Sequence, residues 1–276
     1  MMQVLAPAKI NLSLRVLGRR DDGFHDIETF IAPISLYDEL ELEKQGQGIN
    51  FSCDDASVPQ REDNLVVRAA KSFFVATRIN GGVSIRLTKR IPHGAGLGGG
   101  SSDAASTLLA LNELFGTGLP REALAKLSES LGSDVPFFVF QSSALCRGRG
   151  ELISPQRLSD RFSVLLLKPE FAVPTPWAYS RWQDAQEIPG VRYGSQEYGG
   201  HSFINELERP VFEKFVFLAR LKAWLLDQAE VGAALMSGSG STVFAVLKDP
   251  NAAGPLADRA KQELDPNLWT CACSTV

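Results

Sequence analysis

The chain has 276 residues, 44% of them hydrophobic and 22% charged, a globular composition that excludes a disordered chain and suits one large or two modest domains. Its 28 Lys and Arg against 32 Asp and Glu give a net charge of −4, which offers no basic field to a nucleic-acid backbone and leaves only a local patch for a small anion. Four scattered cysteines exclude a disulfide framework, and no apolar run reaches the roughly 20 residues of a membrane span.

The first 45 residues predict strands. Ile10, Leu12, Leu14 and Val16 alternate with the period of a half-buried strand. Lys9, Asn11 and Arg15 interrupt that run, so it is no secretory leader, and a soluble cytoplasmic protein is expected. A polar turn over 18–23 leads into a second extended run through Ile27, Phe30, Ile31, Ile34 and Leu36. Leu40 and Leu42 then alternate with Glu39, Glu41 and Glu43 as a surface strand. From residue 64 the apolar spacing becomes helical, with Asp63 or Asn64 placed to cap it. Gly81-Gly82 end that unit, and residues 83–89 alternate again as a strand.

Helices are predicted over 104–114 and 121–131, the second with Pro120 at its start. Residues 137–145 form an apolar, strand-like run, and 147–151 a turn. Beyond them come a buried strand at 164–167, one or two helices over 205–228, a strand at 242–247 and a helix over 252–264. The last strand, 269–274, carries Cys271 and Cys273 on one face, with no Cys or His elsewhere to complete a metal site. Strands alternating with helices predict a two-layer α+β architecture. The polar stretch 154–160 marks a domain boundary, dividing the chain into residues 1–155 and 156–276. Residues 186–201, polar and Gly-rich, read as a mobile loop without chemistry.

Before the first of those helices stands Ile91-Pro-His-Gly-Ala-Gly-Leu-Gly-Gly-Gly-Ser-Ser-Asp-Ala-Ala, with five glycines among residues 94–100. Glycines leave backbone N–H groups free to wrap phosphate oxygens, and a helix N-terminus adds about half a positive charge. Ser101, Ser102 and Asp103 could be plain N-caps, but one cap does not require five glycines. The segment lacks G-K-[ST] and so is no Walker loop. Gly94, Gly96 and Gly99 fit a dinucleotide pattern literally, yet no acidic residue ends a following strand. Protein-kinase signatures are absent.

This loop, in the form Pro92-x-Gly-x-Gly-Leu-Gly-Gly-Gly-Ser-Ser-Asp-Ala-Ala, resembles the central motif of the GHMP kinases. Pro7-Ala-Lys-Ile-Asn-Leu near the N-terminus and Leu235-Met-Ser-Gly-Ser-Gly-Ser-Thr-Val-Phe near the C-terminus resemble the family's other two motifs. Asp22-Gly-Phe-His-Asp-Ile and Leu131-Gly-Ser-Asp-Val-Pro-Phe-Phe are similar to segments of the members that act on a cytidylylated sugar alcohol. The resemblance implies a two-domain α+β kinase. Its N-terminal ATP-binding domain would have the fold of domain 2 of ribosomal protein S5, its C-terminal domain would be a ferredoxin-like α/β sandwich, and the active-site cleft would lie between them. The implied reaction moves the γ-phosphate of ATP to the 2-hydroxyl of a cytidine-diphosphate methylerythritol, in the non-mevalonate route to isoprenoids. The implied partners are small molecules only, with neither nucleic acid nor membrane, for a monomer or homodimer. Homoserine- or mevalonate-type kinases and a non-catalytic nucleotide-binding module are the alternatives.

Residue by residue, the resemblance makes Asp134 the catalytic base and Lys9 its partner, which orients it and polarises the acceptor hydroxyl. By position alone, Asp134 reads as a turn residue between a helix and a strand, and Lys9 as an edge-strand lysine that discourages aggregation. The family's ATP phosphates would rest on Pro92, Gly94, Ala95, Gly96, Leu97, Gly98, Gly99, Gly100, Ser101 and Ser102, with adenine near Asn64 and Lys89. Asn64 also reads as a helix cap. Phe24 would stack on cytosine, with His25 and Asn11 hydrogen-bonding it, although Tyr is usual at the Phe24 position. Tyr179 matches the opposing aromatic, with Trp177 as a near alternative. Gly238-Ser-Gly-Ser reads as a helix-terminal or inter-strand turn. Mg2+ is expected with ATP, touching a loop serine, and no pair of acidic residues stands out as its ligands. His93 and His201 read as exposed or structural.

Overall fold

The computed structural model describes all residues, 1–276. The chain runs β1 (Met2–Arg19), β2 (His25–Gln45), β3 (Gly48–Cys53), α1 (Leu65–Thr77), β4 (Gly82–Thr88), α2 (Gly99–Phe115), α3 (Arg121–Ser128), α4 (Val135–Phe140), β5 (Ala144–Gly148) and β6 (Leu152–Pro155). It continues through β7 (Ser163–Lys168), α5 (Thr175–Ser180), β8 (Gln196–Tyr198), β9 (His201–Asn205), α6 (Glu208–Lys214), α7 (Val216–Leu226), β10 (Val231–Met236), β11 (Val243–Leu247), α8 (Ala253–Glu263) and β12 (Trp269–Ser274).

Two sheets organise the molecule. The larger has the order β3-β4-β2-β1-β9-β8, with β5 on β2 and β6 on β5. Its long β1–β2 pair shifts register between Pro7 and Ala8, Asn11 and Ser13, and Val16 and Gly18. Each shift bends the strand and re-aims its side chains. The expected alternation holds: Ile10, Leu12, Leu14 and Val16 are all buried. The second sheet, β10-β11-β7-β12, is antiparallel throughout. With α5–α7 between β7 and β10, and α8 between β11 and β12, this is the ferredoxin-like β-α-β-β-α-β topology, as the resemblance implied.

Three cores hold these layers. Leu40, Leu42, Ile85 and Leu87 of the large sheet pack on α1, α2 and α4. Leu165, Leu167, Ala234, Met236 and Ala245 pack on α6, α7 and α8. Ala8, Ile10, Leu12 and Ile34 meet Val164, Leu166, Leu235, Phe244 and Val246 between the two sheets. Strands β7 and β11 are therefore covered on both faces, which explains their unbroken apolar runs.

The structure corrects several expectations. Residues 135–140 form α4 rather than a strand. Pro136 in the first turn has its φ preset for a helix, and Val135, Pro136, Phe137, Phe138 and Val139 are buried. An apolar run with no exposed side has no readable period. Asp134 therefore precedes a helix, not a strand. Helix α2 begins at Gly99, five residues before the expected start, inside the glycine run. The 186–201 segment ends in β8, which pairs with β9, and β9 returns to the large sheet beside β1. Lys9 lies on a central strand and is 4% exposed, so it is no edge lysine.

Candidate active site

One cavity of about 930 Å3 collects residues from almost every part of the chain. Its first wall is the loop before α2. Gly94, Gly96 and Gly98 have φ of +63°, +76° and +70°, backbone that L side chains rarely adopt. Between them Ala95 and Leu97 turn inward and pack in the core between the sheets. Gly98 caps α2 without any side-chain hydrogen bond, and its first intrahelical bond is from Ser102 N to Gly98 O, 2.9 Å. The N–H groups of Gly99, Gly100 and Ser101 are thus left without helical partners beside the cavity. Pro92, His93, Gly94, Ala95, Gly96 and Gly98 line it as well. Leu97 and Ser102 are buried behind this wall, and Ser102 Oγ has no hydrogen-bond partner.

The loop is locked from outside by residues 237–242. Ser237 Oγ donates to Gly96 O (3.0 Å) and Thr242 N to Ala95 O (3.2 Å). A Cβ on Gly96 would fall 2.2 Å from Ser237 O. The Gly238-Ser-Gly-Ser segment is a turn between β10 and β11, not a helix terminus.

Asn64 both caps α1, through Val66 N to Oδ1 at 2.8 Å, and borders the cavity. Lys89 is drawn into a buried cluster. Its ammonium donates to Asp38 Oδ2 and to Asp103 Oδ2 (the latter 2.9 Å). Asp38 Oδ1 accepts from Arg90 N and Ile91 N, at 2.6 and 2.8 Å, fixing the entry to the loop. One cation faces two buried carboxyls, and burial outweighs Lys89 at Asp103, whose pKa is pushed up to about 8.

Lys9 and Asp134 stand next to the loop. Lys9 Nζ lies 3.5 Å from Asp134 Oδ2 and donates to Asn11 Oδ1 at 2.7 Å. Asn11 Nδ2 donates to Thr29 Oγ1 (2.8 Å), which donates to Ser13 O (2.6 Å). This chain fixes the Lys9 amine from behind while Asp134, 40% exposed, faces the cavity. Asn11 lines the same cavity as Phe24 and His25, with its amide oxygen bonded to Lys9.

The far wall is aromatic. His25 and Tyr179 approach to 5.4 Å between ring centroids, and Trp182 meets His25 edge-on at 6.3 Å. Burial, and then the charge of Asp134, push the Tyr179 hydroxyl well above its usual range, and Asp134 lines the same cavity. Burial and the Arg19 charge lower the His25 pKa, so its ring is neutral at pH 7. Trp177 packs away, edge-on to Phe215 at 5.6 Å. The geometry thus brings Tyr179, not Trp177, to the cavity. Phe24 is 48% exposed, with the Arg149 guanidinium 4.9 Å from its ring centroid.

The GHMP kinase N-terminal domain description matches residues 64–142, and the C-terminal one matches 196–265. A protein of Methylacidiphilum infernorum named 4-diphosphocytidyl-2-C-methyl-D-erythritol kinase is 41% identical over 96% of this chain and 93% of its own. One of Syntrophus aciditrophicus with the same name is 38% identical over 99% and 98%. The chain belongs to the GHMP kinase family. A crystal structure of 4-(cytidine 5'-diphospho)-2C-methyl-D-erythritol kinase superposes with a TM-score of 0.81 at 36% identity, covering 99% of this chain and 98% of the other. A homoserine kinase from Cytophaga hutchinsonii, at TM-score 0.70 and 18% identity over 100% of this chain and 94% of its own, shares the fold.

In this GHMP kinase the cavity also contains residues that sequence reasoning passed over. Thr29 comes from β2, two residues from Ile31, the partner of Asn11, and its contact with Asn11 needs the β1–β2 pairing that a single sequence does not reveal. Arg19 and Arg149 bring positive charge to the aromatic end. The Arg-Gly-Arg-Gly turn holding Arg149 was the available signal, because glycine-flanked arginines in a tight turn project from the backbone. His93 is exposed, as expected, yet it borders the loop side of the cavity. No helix is long and apolar enough to cross a membrane.

Proposed function

We propose that the chain transfers the γ-phosphate of ATP to the 2-hydroxyl of 4-diphosphocytidyl-2-C-methyl-D-erythritol, releasing ADP, in the non-mevalonate route to isoprenoid precursors. The observation that carries this reading is a single cavity lined by an anion-accepting loop and helix N-terminus, an aromatic wall, and the Lys9–Asp134 pair beside the loop.

Phosphoryl transfer needs an acceptor oxygen held in line and charge neutralised on the transferred group. The free N–H groups of Gly99, Gly100 and Ser101 and the dipole of α2 hold the ATP phosphates, with adenine toward Asn64 and Lys89. Asp134 takes the proton of the acceptor hydroxyl as the new P–O bond forms. Lys9 holds Asp134 and the hydroxyl together, itself fixed by Asn11 and Thr29. Mg2+ enters as part of the MgATP substrate and neutralises charge on the phosphates. Ser101 lines the cavity and is the loop serine whose hydroxyl would meet that ion or a phosphate. Phe24 and Tyr179 flank the cytosine, and neutral His25 hydrogen-bonds it.

On this reading residues 1–155 form the ATP-binding domain and 156–276 the domain that closes the cleft, with β8–β9 reaching back into the first sheet. The enzyme works in the cytoplasm on small molecules, as a monomer or homodimer. Competition tests the substrate class. CMP and CDP should raise the apparent KM for the acceptor. Indifference to both would remove the cytidine site and leave a kinase for another alcohol.

A further inference from the structure

Strand β10 is the free edge of the second sheet, yet Ala234 and Met236 on it are fully buried. Buried backbone groups at an edge must find partners, and here three side chains supply them. Gln196 Nε2 donates to Ala234 O (2.8 Å), and Ala234 N donates to Gln196 Oε1 (3.1 Å). Two residues further along, Met236 N donates to Glu208 Oε1 (2.8 Å). Asn205 Nδ2 then donates to both Met236 O and Gly238 O, each at 2.7 Å. The spacing of two is that of a neighbouring strand, so the side chains stand in for a missing one.

The end of this row is the turn that locks the phosphate loop. Asn205 grips it on both sides of Ser237, the residue that holds Gly96. A Cβ on Gly238 would lie 3.3 Å from Lys9 Nζ and 3.4 Å from Asn11 Oδ1, so any slip of the turn reaches the Lys9 amine directly. The clamp is itself rigid. Asn205 Oδ1 accepts from Leu207 N (2.9 Å), and Asn205 lies at the end of β9, in register with Leu14 of the strand that carries Lys9. Glu208 Oε2 accepts from the buried Lys222 Nζ (2.5 Å), which also donates to Arg192 O (2.7 Å). A buried ion pair adds little net stability over apolar packing of the same volume. Holding one backbone N–H at one place is a task that apolar packing cannot do.

We propose that Asn205 and Glu208 are positioning residues for phosphoryl transfer, setting the 237–242 turn and through it the phosphate loop and Lys9. The inference rests on the kinase reading given above. Gln196 is the internal control, because it satisfies the same strand edge away from the turn.

The test compares Asn205→Ala, Glu208→Gln and Gln196→Ala with the wild type, reading kcat per folded molecule, both KM values, Tm, and amide hydrogen exchange in 95–100 and 237–242. Asn205→Ala should lower kcat at least about tenfold with acceptor KM within about threefold, and should speed exchange in both segments. Glu208→Gln keeps the acceptor for Met236 N but loses the charge facing Lys222, and should show the same pattern more weakly. It carries the test if Asn205→Ala does not fold. Gln196→Ala should lower Tm with kcat and exchange at the turn unchanged. Equal kcat per folded molecule in all three variants, with exchange at the turn unmoved, overturns the proposal. A wild type without turnover on the cytidylyl acceptor would count against the kinase reading alone, because the exchange comparison needs no acceptor.

Discussion

The two ends of the cavity are built in opposite ways. The phosphate end is backbone: one run of residues, 94–101, supplies glycine geometry and helix N–H groups together. The acceptor end is side chain, with Phe24 from the β1–β2 connection, His25 from the start of β2, Tyr179 from α5 and Arg149 from the turn after β5. A backbone site is contiguous in sequence and tolerates little change. A side-chain site is assembled from distant segments and can be retuned one residue at a time. Lys9–Asp134 belongs to neither end, and its pairing joins the first strand to the start of α4.

The sharpest way to separate the chemistry from both ends is Asp134→Ala. Turnover should fall by about 10²–10⁴-fold, the range for a lost general base, with ATP affinity within about threefold. Steady-state kinetics and nucleotide titration check this, and near wild-type turnover would remove Asp134 from the reaction. Next in size is Gly96→Ala. The methyl meets Ser237 O on a backbone of positive φ, a cost of about 2–5 kcal/mol from strain and overpacking. ATP affinity should drop at least about tenfold, together with Tm. An Ala at 96 that binds ATP normally would show that the loop is not locked by the 237–242 turn.

These two predictions mark what the sequence made legible. The glycine loop was readable because its chemistry lies in consecutive residues, and the α+β pattern because most strands and helices keep their period. Residues 135–140 were not, because a helix buried on every side has no polar face to show its period. The Lys9–Asn11–Thr29 chain was hidden because it depends on which residues of β1 and β2 stand opposite each other. The choice between Tyr179 and Trp177 also needed three dimensions, since both lie on the same short helix and only packing against Phe215 turns Trp177 away.

At the acceptor end, Tyr179→Ala should raise acceptor KM by roughly 5- to 150-fold, the equivalent of about 1–3 kcal/mol for one lost base stack. The KM for ATP should stay put. A matched rise in both would mean that the two ends are not separable. The smallest effect concerns Asp103, beside the phosphate end. Burial pushes its folded pKa up to about 8, far above the ordinary carboxyl value of 3.8, so the native state holds a proton that the unfolded chain has released. That contribution to stability is complete below about pH 4 and is lost as pH rises through about 8, with a slope of at most ~1.4 kcal/mol per pH unit. Asp103→Asn should therefore flatten the decline of Tm between pH 5 and 9 relative to the wild type. An unchanged decline would show that the Lys89 cluster keeps both carboxyls ionised.

The central claim, that one cavity joins ATP to a cytidylylated alcohol, is tested most directly by ADP release from MgATP. The assay offers 4-diphosphocytidyl-2-C-methyl-D-erythritol, homoserine, mevalonate or no acceptor in parallel. Turnover with the cytidylyl substrate alone is the predicted result. Turnover with homoserine or mevalonate instead would keep the fold and the phosphate loop but contradict the roles given to Phe24, His25 and Tyr179.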